Sequence, residues 1–521
     1  MLFTDPVFLF MLLPAACALF YSLTPRMGSS AGMALLLGIS LLFYWTWGTF
    51  YLLVLAASCT VNFAAACTIL VTPNEQRQIR RAALLLGQAY NFGALIWFKY
   101  RLVGLIFGGA QQQYSLIEIA IPVGISFYTF QQAILLLDAY HRDASVVAYL
   151  GDMRTLLGKL RGYLRHAFFV SFFPHLVIGP IVYLSEFQPQ VQNADFGRAK
   201  RLNLEVGSAL IIIGLFKKMV IADHLAPIAH GVFGADAGAA LSGQTPMAVA
   251  WLGTLAYYTQ LYFDFSGYSD MALGSARLLG IRFPMNFFSP LKAVGIIDFY
   301  RRWHITLTRA IARFVYTPLS ISAARFAVES RWPAMPVKIV SVWIPLLINF
   351  EVIALWHGAR QTFIVFGLVH GVWYAAETAT RSSRVFKAWC AKTSVTSRAI
   401  LGRLLFLLLM PVTFALFRSA TLPNFMILLR SLIGFDAGVV QTKDALEVLA
   451  AVGIAGLLPN SMQLVARYRA GFSTYTNRNY TPPPLRLHWR PNWLWTIPMS
   501  GMLLTCLYYM SRQPPFLYLG F

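Results

Sequence analysis

Charged side chains make up only 12% of this 521-residue sequence, and 58% of its residues are hydrophobic. A soluble chain carries about a quarter charged residues, so that class is excluded, and a mean hydropathy of +0.60 agrees. Cysteine is thin as well. The five cysteines, at 17, 59, 67, 390 and 506, form no C-x-x-C pair, which removes a disulfide framework and a cysteine-built zinc site. Walker A and H-E-x-x-H sequences are absent, and with them the signs of ATP-driven or zinc chemistry. The alternating ten-residue pattern of an outer-membrane barrel is missing. No internal repeat is evident, which weakens a transporter built from inverted halves. Gly28-Ser-Ser-Ala-Gly32 does match G-x-S-x-G, but it lies between two apolar runs where a nucleophile elbow needs a strand-to-helix turn. A covalent serine mechanism therefore has no support.

Apolar stretches near the roughly 18 residues needed to cross a bilayer recur along the chain. Lipid cannot satisfy open backbone groups, so the expected fold class is an all-α polytopic membrane protein. Helices are predicted near 4–23, 31–50, 51–71, 82–100, 118–137, 167–184, 207–222, 247–263, 339–357, 361–378, 399–417, 444–459 and 494–511. Residues 4–23 read as a retained first helix, because Asp5 stands where a signal sequence would be basic. Pro174 and Gly179-Pro180 break the 167–184 segment and predict non-helical backbone at membrane depth, tolerable only inside protein or a wet cavity. Segment 280–338 is amphipathic and basic and is expected to lie along the inner face. The stretch 472–493 reads as a surface loop.

Lys and Arg number 42 against 20 Asp and Glu, a net charge of +22. A nucleic-acid binder could look like this. The positive charges, however, concentrate in Arg77–Arg81, Arg142–Arg165, Arg198–Arg201, Lys292–Lys338, Arg381–Arg403 and Arg467–Arg490, each between apolar runs. That is the pattern of the positive-inside rule with lipid headgroup contact, and it argues for no nucleic acid. Both termini then fall outside, in a bacterial inner membrane.

A few polar residues sit where a membrane helix should have none. Gln260, Asp264 and Tyr268 stack at i, i+4, i+8 on one helix face. A carboxylate near the bilayer centre costs on the order of 3 kcal/mol or more, so this face must meet a polar cavity or a polar neighbouring helix. Asn349 and Glu351, just before His357, raise the same question. His357 ends the apolar run Ile339–Trp356, with Gly358 as a helix stop, while His304 belongs to the basic segment beside Arg301, Arg302 and Trp303. Each of the two histidines adjoins a tryptophan. A membrane histidine is either a packing residue or a general base, and imidazole is the side chain best suited to take a hydroxyl proton near neutral pH. His175 and His370 read as structural more readily than as functional.

Five stretches, in order, are similar to those of a known family: Pro122-Val-Gly-Ile-Ser-Phe-Tyr-Thr-Phe130, Phe173-Pro-His-Leu-Val-Ile-Gly-Pro180, Gln260-Leu-Tyr-Phe-Asp-Phe-Ser-Gly-Tyr-Ser-Asp-Met271, Phe299–Leu307 and Leu355-Trp-His-Gly-Ala359. Together they resemble the alginate O-acetyltransferase branch of the bacterial membrane-bound O-acyltransferases, whose cousins are the teichoic acid D-alanyltransferases. The match covers about residues 1–380 of a single integral-membrane domain, and 381–521 is similar in hydropathy alone. The resemblance implies about eleven transmembrane helices, with re-entrant and inner-face helices, around a funnel and tunnel joining the two membrane faces. It implies that His357 is the histidine essential for acyl transfer and that His304 is the second signature histidine, toward the cytoplasm. One departure stands out: relatives carry a glycine-rich loop where this chain reads Tyr316-Thr-Pro-Leu-Ser-Ile-Ser-Ala-Ala-Arg325.

The expected activity is O-acyl transfer, with acetyl as the group, to an extracytoplasmic polysaccharide. No bound cofactor is expected. The donor would be acetyl-CoA or an acyl-carrier thioester, with a cytoplasmic carrier docking on 292–338. The partner would be a periplasmic acetyltransferase or another polysaccharide-modification protein. Trp303 and Trp356 would wall the tunnel against water, and Gln260, Asp264, Asn349, Arg301, Arg302 and His175 are candidates for positioning. Three rivals stay open: a D-alanyl or longer-acyl transferase, a secondary transporter using Asp264, Asp270 and Glu351, and a non-catalytic scaffold of a secretion complex.

Overall fold

The structure is a computed structural model that describes residues 1–107, 121–234, 245–358, 360–436, 438–472, 487–512 and 517. The described residues form helices and no strands. Thirteen long helices follow the hydrophobic runs: α1 (Phe8–Met27), α2 (Ser29–Trp45), α3 (Thr49–Val71), α4 (Arg77–Phe107), α5 (Ile125–Tyr140), α6 (Leu156–Ser171), α7 (Arg201–Leu215), α8 (Met247–Leu278), α9 (Ala334–His357), α10 (Gln361–Ser382), α11 (Val395–Arg418), α12 (Thr442–Leu457) and α13 (Trp493–Tyr509). Among the described residues α1, α3, α9 and α11 are long and apolar enough to cross a bilayer on their own. The other helices are shorter or carry more polar residues, as inner helices shielded by protein can. Residues 118–120, 473–486 and Ala359 of the sequence expectations lie outside the described residues.

The central post is α8. Every residue from Ala256 to Leu278 is buried, as in a helix surrounded by protein on all sides. It runs well past the expected end at 263, because its polar half finds partners. α7 packs against it so closely that a Cβ on Gly214 would lie 2.6 Å from the Gly267 carbonyl oxygen, and one on Gly274 would lie 2.7 Å from that of Gly207. Small residues at seven-residue spacing let two membrane helices touch backbone to backbone. α7 then continues as a π-helical stretch, Phe216–Ala222. Its wider turn brings consecutive lysines onto α8: Lys217 Nζ lies 2.6 Å from Asp270, and Lys218 Nζ lies 2.8 Å from Asp264 and 2.6 Å from Asp223.

The break expected inside 167–184 is present. α6 stops at Ser171, a single turn spans Phe173–Leu176, and 177–183 is non-helical yet buried. Its backbone groups are met by side chains, as the Ile181 N–H donates to Thr306 Oγ1 at 3.1 Å and Arg309 donates to the Ile181 carbonyl at 3.2 Å. Gly124 closes on this hairpin at φ +79°, where a Cβ would stand 2.2 Å from the Leu176 carbonyl oxygen. Only glycine fits there.

Segment 280–338 does not lie on the surface throughout. Its first part folds inward, with Phe283, Leu291, Ile296, Phe299 and Ile305 buried, and the exposed part is the helix Thr317–Glu329 with the residues that follow it to 335. The glycine-free stretch Tyr316–Arg325 is thus the start of that helix. Two of the basic segments are tied to their neighbours: Arg80 donates to the Ile69 and Tyr140 carbonyls, and Arg142 to those of Leu70 and Thr72. This ties the end of α3, the start of α4 and the end of α5 together.

Candidate active site

His304 is placed by an unusual backbone turn. It caps the short helix Ile305–Ile311 at φ 42°, ψ 50°, a left-handed conformation that costs a non-glycine residue about 1–3 kcal/mol and persists only where the surroundings enforce it. The enforcing residue is Asn286. Its backbone carbonyl accepts from Ile305 N–H at 3.0 Å, and its Oδ1 accepts from Thr306 Oγ1 at 2.9 Å and Thr306 N–H at 3.4 Å. A backbone N–H can only donate, so the amide atom it meets is the oxygen. His304 Nδ1, 3.0 Å from the same Oδ1, must therefore be the protonated nitrogen, leaving the lone pair of the neutral ring on Nε2.

His357 is the last residue of α9. Gly358, at φ +155°, turns the chain away, and a Cβ there would press on Phe363 at 3.1 Å. The His357 ring packs edge-on against Phe417 at 4.9 Å and against Trp356 at 4.7 Å. His304 in turn lies 5.8 Å from Trp356 and 4.7 Å from Phe265, ring centre to ring centre.

Both histidines line one narrow cavity of ≈ 40 Å³, walled by Leu261, Phe265, Tyr300, Trp303, Ile353 and Phe414 among others. His357 and Trp356 also line a second, wider cavity of ≈ 460 Å³ with Trp47, Tyr51, Lys99 and residues 121–127. Tyr51 and Ile125 stand in the first turns of α3 and α5, and Lys99 in the second half of α4, away from the Arg80 and Arg142 ties. The inner cavity draws on the basic segment, the outer one on the opposite side, and His357 belongs to both. Lys99 Nζ donates to the Trp356 carbonyl at 2.5 Å, so it also caps the end of α9. Burial, with the charges of Arg302 and Arg403 adding to it, holds the Lys292 ammonium down to about 8.

The other expected residues divide. Trp303 lines the inner cavity and Trp356 the outer one. Asn349 is buried on α9, two turns before His357 on the same face as Ile353, and its Oδ1 meets no hydrogen-bond donor among the described residues. Gln260 is buried on α8, whereas Asp264 points away from both cavities into its ion pair with Lys218. The face of α8 that meets the inner cavity is that of Leu261 and Phe265, one residue round from the polar stack. Arg301 is exposed. Arg302 bonds Asp298 at 2.9 Å and the Phe288 carbonyl at 3.3 Å, holding the inward-folded segment together. His175 sits in a box of Phe169, Phe172, Phe187 and Phe283 with Nε2 2.8 Å from the Phe169 carbonyl; it braces the 173–180 hairpin. His370 meets the Tyr300 hydroxyl at 2.6 Å, behind the inner cavity wall.

Lys99 and Asn286 escaped the sequence reading. Lys99 had a signal, a cation closing an apolar helix, where intramembrane charge is by default a functional pointer. Asn286 had none, since its task depends on a contact across 18 residues. Phe414 and Phe417 come from α11, beyond the stretch that carried the resemblance.

A family model for the membrane-bound O-acyltransferases matches residues 39–413. The chain is 33% identical over 453 residues to a peptidoglycan O-acetyltransferase of Helicobacter pylori, covering 84% of this chain and 80% of that one. It is 33% identical to the probable alginate O-acetylase AlgI of Azotobacter vinelandii, over 73% of this chain and 69% of that one. To the teichoic acid D-alanyltransferase of Bacillus subtilis it is 27% identical, over 48% and 57%. The multi-pass helical architecture, the matched family model and the O-acetyltransferase relatives place this chain in the membrane-bound O-acyltransferase family, as an O-acyltransferase.

Proposed function

We propose that the protein carries an acetyl group from a cytoplasmic thioester, acetyl-CoA or an acyl carrier, to a hydroxyl acceptor on the far side of the membrane, for O-acetylation of an extracytoplasmic glycan. The observation that carries this reading is that one imidazole, His357, borders both cavities. The thioester carbonyl enters from the basic side, past His304 and Trp303. The acceptor hydroxyl enters the outer cavity. His357 takes the hydroxyl proton, the oxygen attacks the thioester carbonyl, and the carbon–sulfur bond breaks to release the thiol, which regains a proton. His304, with its Nδ1 proton given to Asn286, presents Nε2 as an acceptor for the proton of a neighbouring group in the inner cavity. Apolar walls keep water from competing for the acetyl group.

The catalytic roles of His357 and His304, the direction of transfer, and a periplasmic acetyltransferase that relays the acetyl group are parts of this proposal. The names of the relatives, which act on alginate and peptidoglycan, favour acetyl over alanyl as the group moved. The buried carboxylates Asp264 and Asp270 are engaged by lysines, which gives them a structural task and removes the ground for a transporter site. Replacing His357 by Ala, with membrane-inserted protein quantified alongside, is expected to abolish glycan O-acetylation scored by NMR. Acetylation that survives in that variant at an unchanged protein level would refute the catalytic assignment and favour a scaffold.

A further inference from the structure

Two arginines near the end of α8 lack the counter-charge that their surroundings demand. Arg277, in the last turn, is only 6% exposed. One of its terminal nitrogens reaches the Tyr468 carbonyl at 3.5 Å, and its Nε meets no acceptor among the described residues. Arg282 stands close enough for the two positive charges to repel. Gln190 fixes the Arg282 backbone, donating to its carbonyl at 2.9 Å and accepting from its N–H at 2.8 Å, while the guanidinium has neither hydrogen bond nor ion pair among the described residues. Carboxylates on the neighbouring segments are engaged elsewhere: Glu186 with Arg309, Asp195 with Lys200 and Glu205 with Arg201. The chain beyond Glu447 supplies none, since residues 448 to 521 hold six arginines and neither Asp nor Glu.

A guanidinium buried without a partner is strongly destabilising, and a second one beside it adds repulsion. The end of a helix favours a cation, but its partial charge falls well short of balancing two. An anion belongs here, and a guanidinium fork matches the oxygens of a phosphate in pairs. The Tyr468 contact and the Arg282 side chain are both partly open to the surroundings, so a phosphate can approach the pair from outside. Apolar surface adjoins them. The Tyr21 hydroxyl donates to the Leu278 carbonyl, which sets α1 beside the end of α8. Leu19 of α1, and Leu202 and Leu204 in the first turn of α7, are exposed. Such a surface takes acyl chains, which free phosphate lacks. On the topology that the basic segments predict, this end of α8 meets the inner leaflet, where anionic lipids are drawn to arginine.

We propose that Arg277 and Arg282 bind the phosphate of an anionic phospholipid from the inner leaflet. The lipid completes the charge balance where α1, α7 and α8 meet. This goes past general contact between basic loops and headgroups, because it names one site built on a buried guanidinium, and it holds whatever group the chain transfers.

The test uses the full chain in a neutral detergent with phosphatidylglycerol or phosphatidylcholine added. Bound lipid is counted by native mass spectrometry, and the unfolding temperature is followed alongside. The wild-type protein is expected to hold one phosphatidylglycerol about tenfold or more tighter than phosphatidylcholine, as one charge-assisted hydrogen bond would give, and to unfold at a higher temperature with it. Arg277→Gln should erase both effects. Arg277→Lys, which keeps the charge and loses the fork, should keep part of them, and Arg325→Gln, at an exposed position on the helix Thr317–Glu329, should keep them whole. Without anionic lipid, Arg277→Gln should be at least as stable as the wild type, because it removes an unpaired buried charge. A loss of stability in that variant that is the same with and without the lipid would mark Arg277 as a helix cap and overturn the proposal. Equal binding of the two lipids by the wild type overturns it too, as does a preference that survives in both Arg277→Gln and Arg282→Gln. Inorganic phosphate that stabilises the protein as much as the lipid does would overturn the lipid as its ligand. Should Arg277→Gln fail to fold, Arg282→Gln and the wild-type comparison decide.

Discussion

Asn286 is the residue on which the orientation of His304 turns. Its amide oxygen collects three donors, from His304 and from two atoms of Thr306. Replacing it by Ala frees the imidazole to take the other tautomer and leaves the Thr306 donors unmet. The expected loss is on the order of 1–3 kcal/mol, roughly ten- to hundredfold in kcat with KM for the donor changed far less. Asn286→Asp, which keeps the acceptor oxygen, should retain much of the activity. A double variant with His304→Ala should be no worse than His304→Ala alone, since the two act as one unit. Steady-state kinetics on the purified protein would check all three. Histidine and tryptophan pairs could be read from the chain because such residues are conspicuous in apolar surroundings. Asn286 could not be, because an asparagine in a loop declares nothing until the fold brings His304 and Thr306 to it. Asp264 shows the opposite failure: a charge in a membrane helix drew the eye, and its partner Lys218 lay in what read as an ordinary helix end.

Helix positions followed hydrophobic runs closely, and the break at Pro174 was visible because proline and glycine act locally. The extent of α8 was not visible, since its polar half stays helical only against Lys217 and Lys218 on the π-helical turn after α7. Two predictions belong to this pair of helices. Gly214→Leu must push α7 from α8, because even a Cβ there meets the Gly267 carbonyl oxygen at 2.6 Å; the expected cost is about 1–3 kcal/mol or more, seen as a lower unfolding temperature in detergent. Lys218→Met leaves Asp264 and Asp223 buried without their cation, at about 3–5 kcal/mol. The triple variant Lys218→Met, Asp223→Asn, Asp264→Asn should recover much of that loss. If it recovers activity as well, the network is structural and takes no part in proton movement.

For the whole molecule, the arrangement that matters is two cavities meeting at one imidazole, between a basic side and its opposite. Neither cavity could be drawn from the chain, because each gathers residues from segments far apart in sequence, the inner one from α11 as well. Trp356 is the wall between them, touching His304 on one side and His357 on the other. Trp356→Ala is expected to let water through, raising acetyl-CoA hydrolysis relative to transfer, as a thiol-release assay set against glycan acetyl content would show. The most direct measurement uses inside-out membrane vesicles from cells making the protein. Acetyl-CoA labelled in the acetyl group is supplied to the outer medium, and label is counted in the glycan of the lumen. Label should cross and be lost with His357→Ala; label confined to the donor's side, or crossing unchanged in that variant, would contradict transfer through His357.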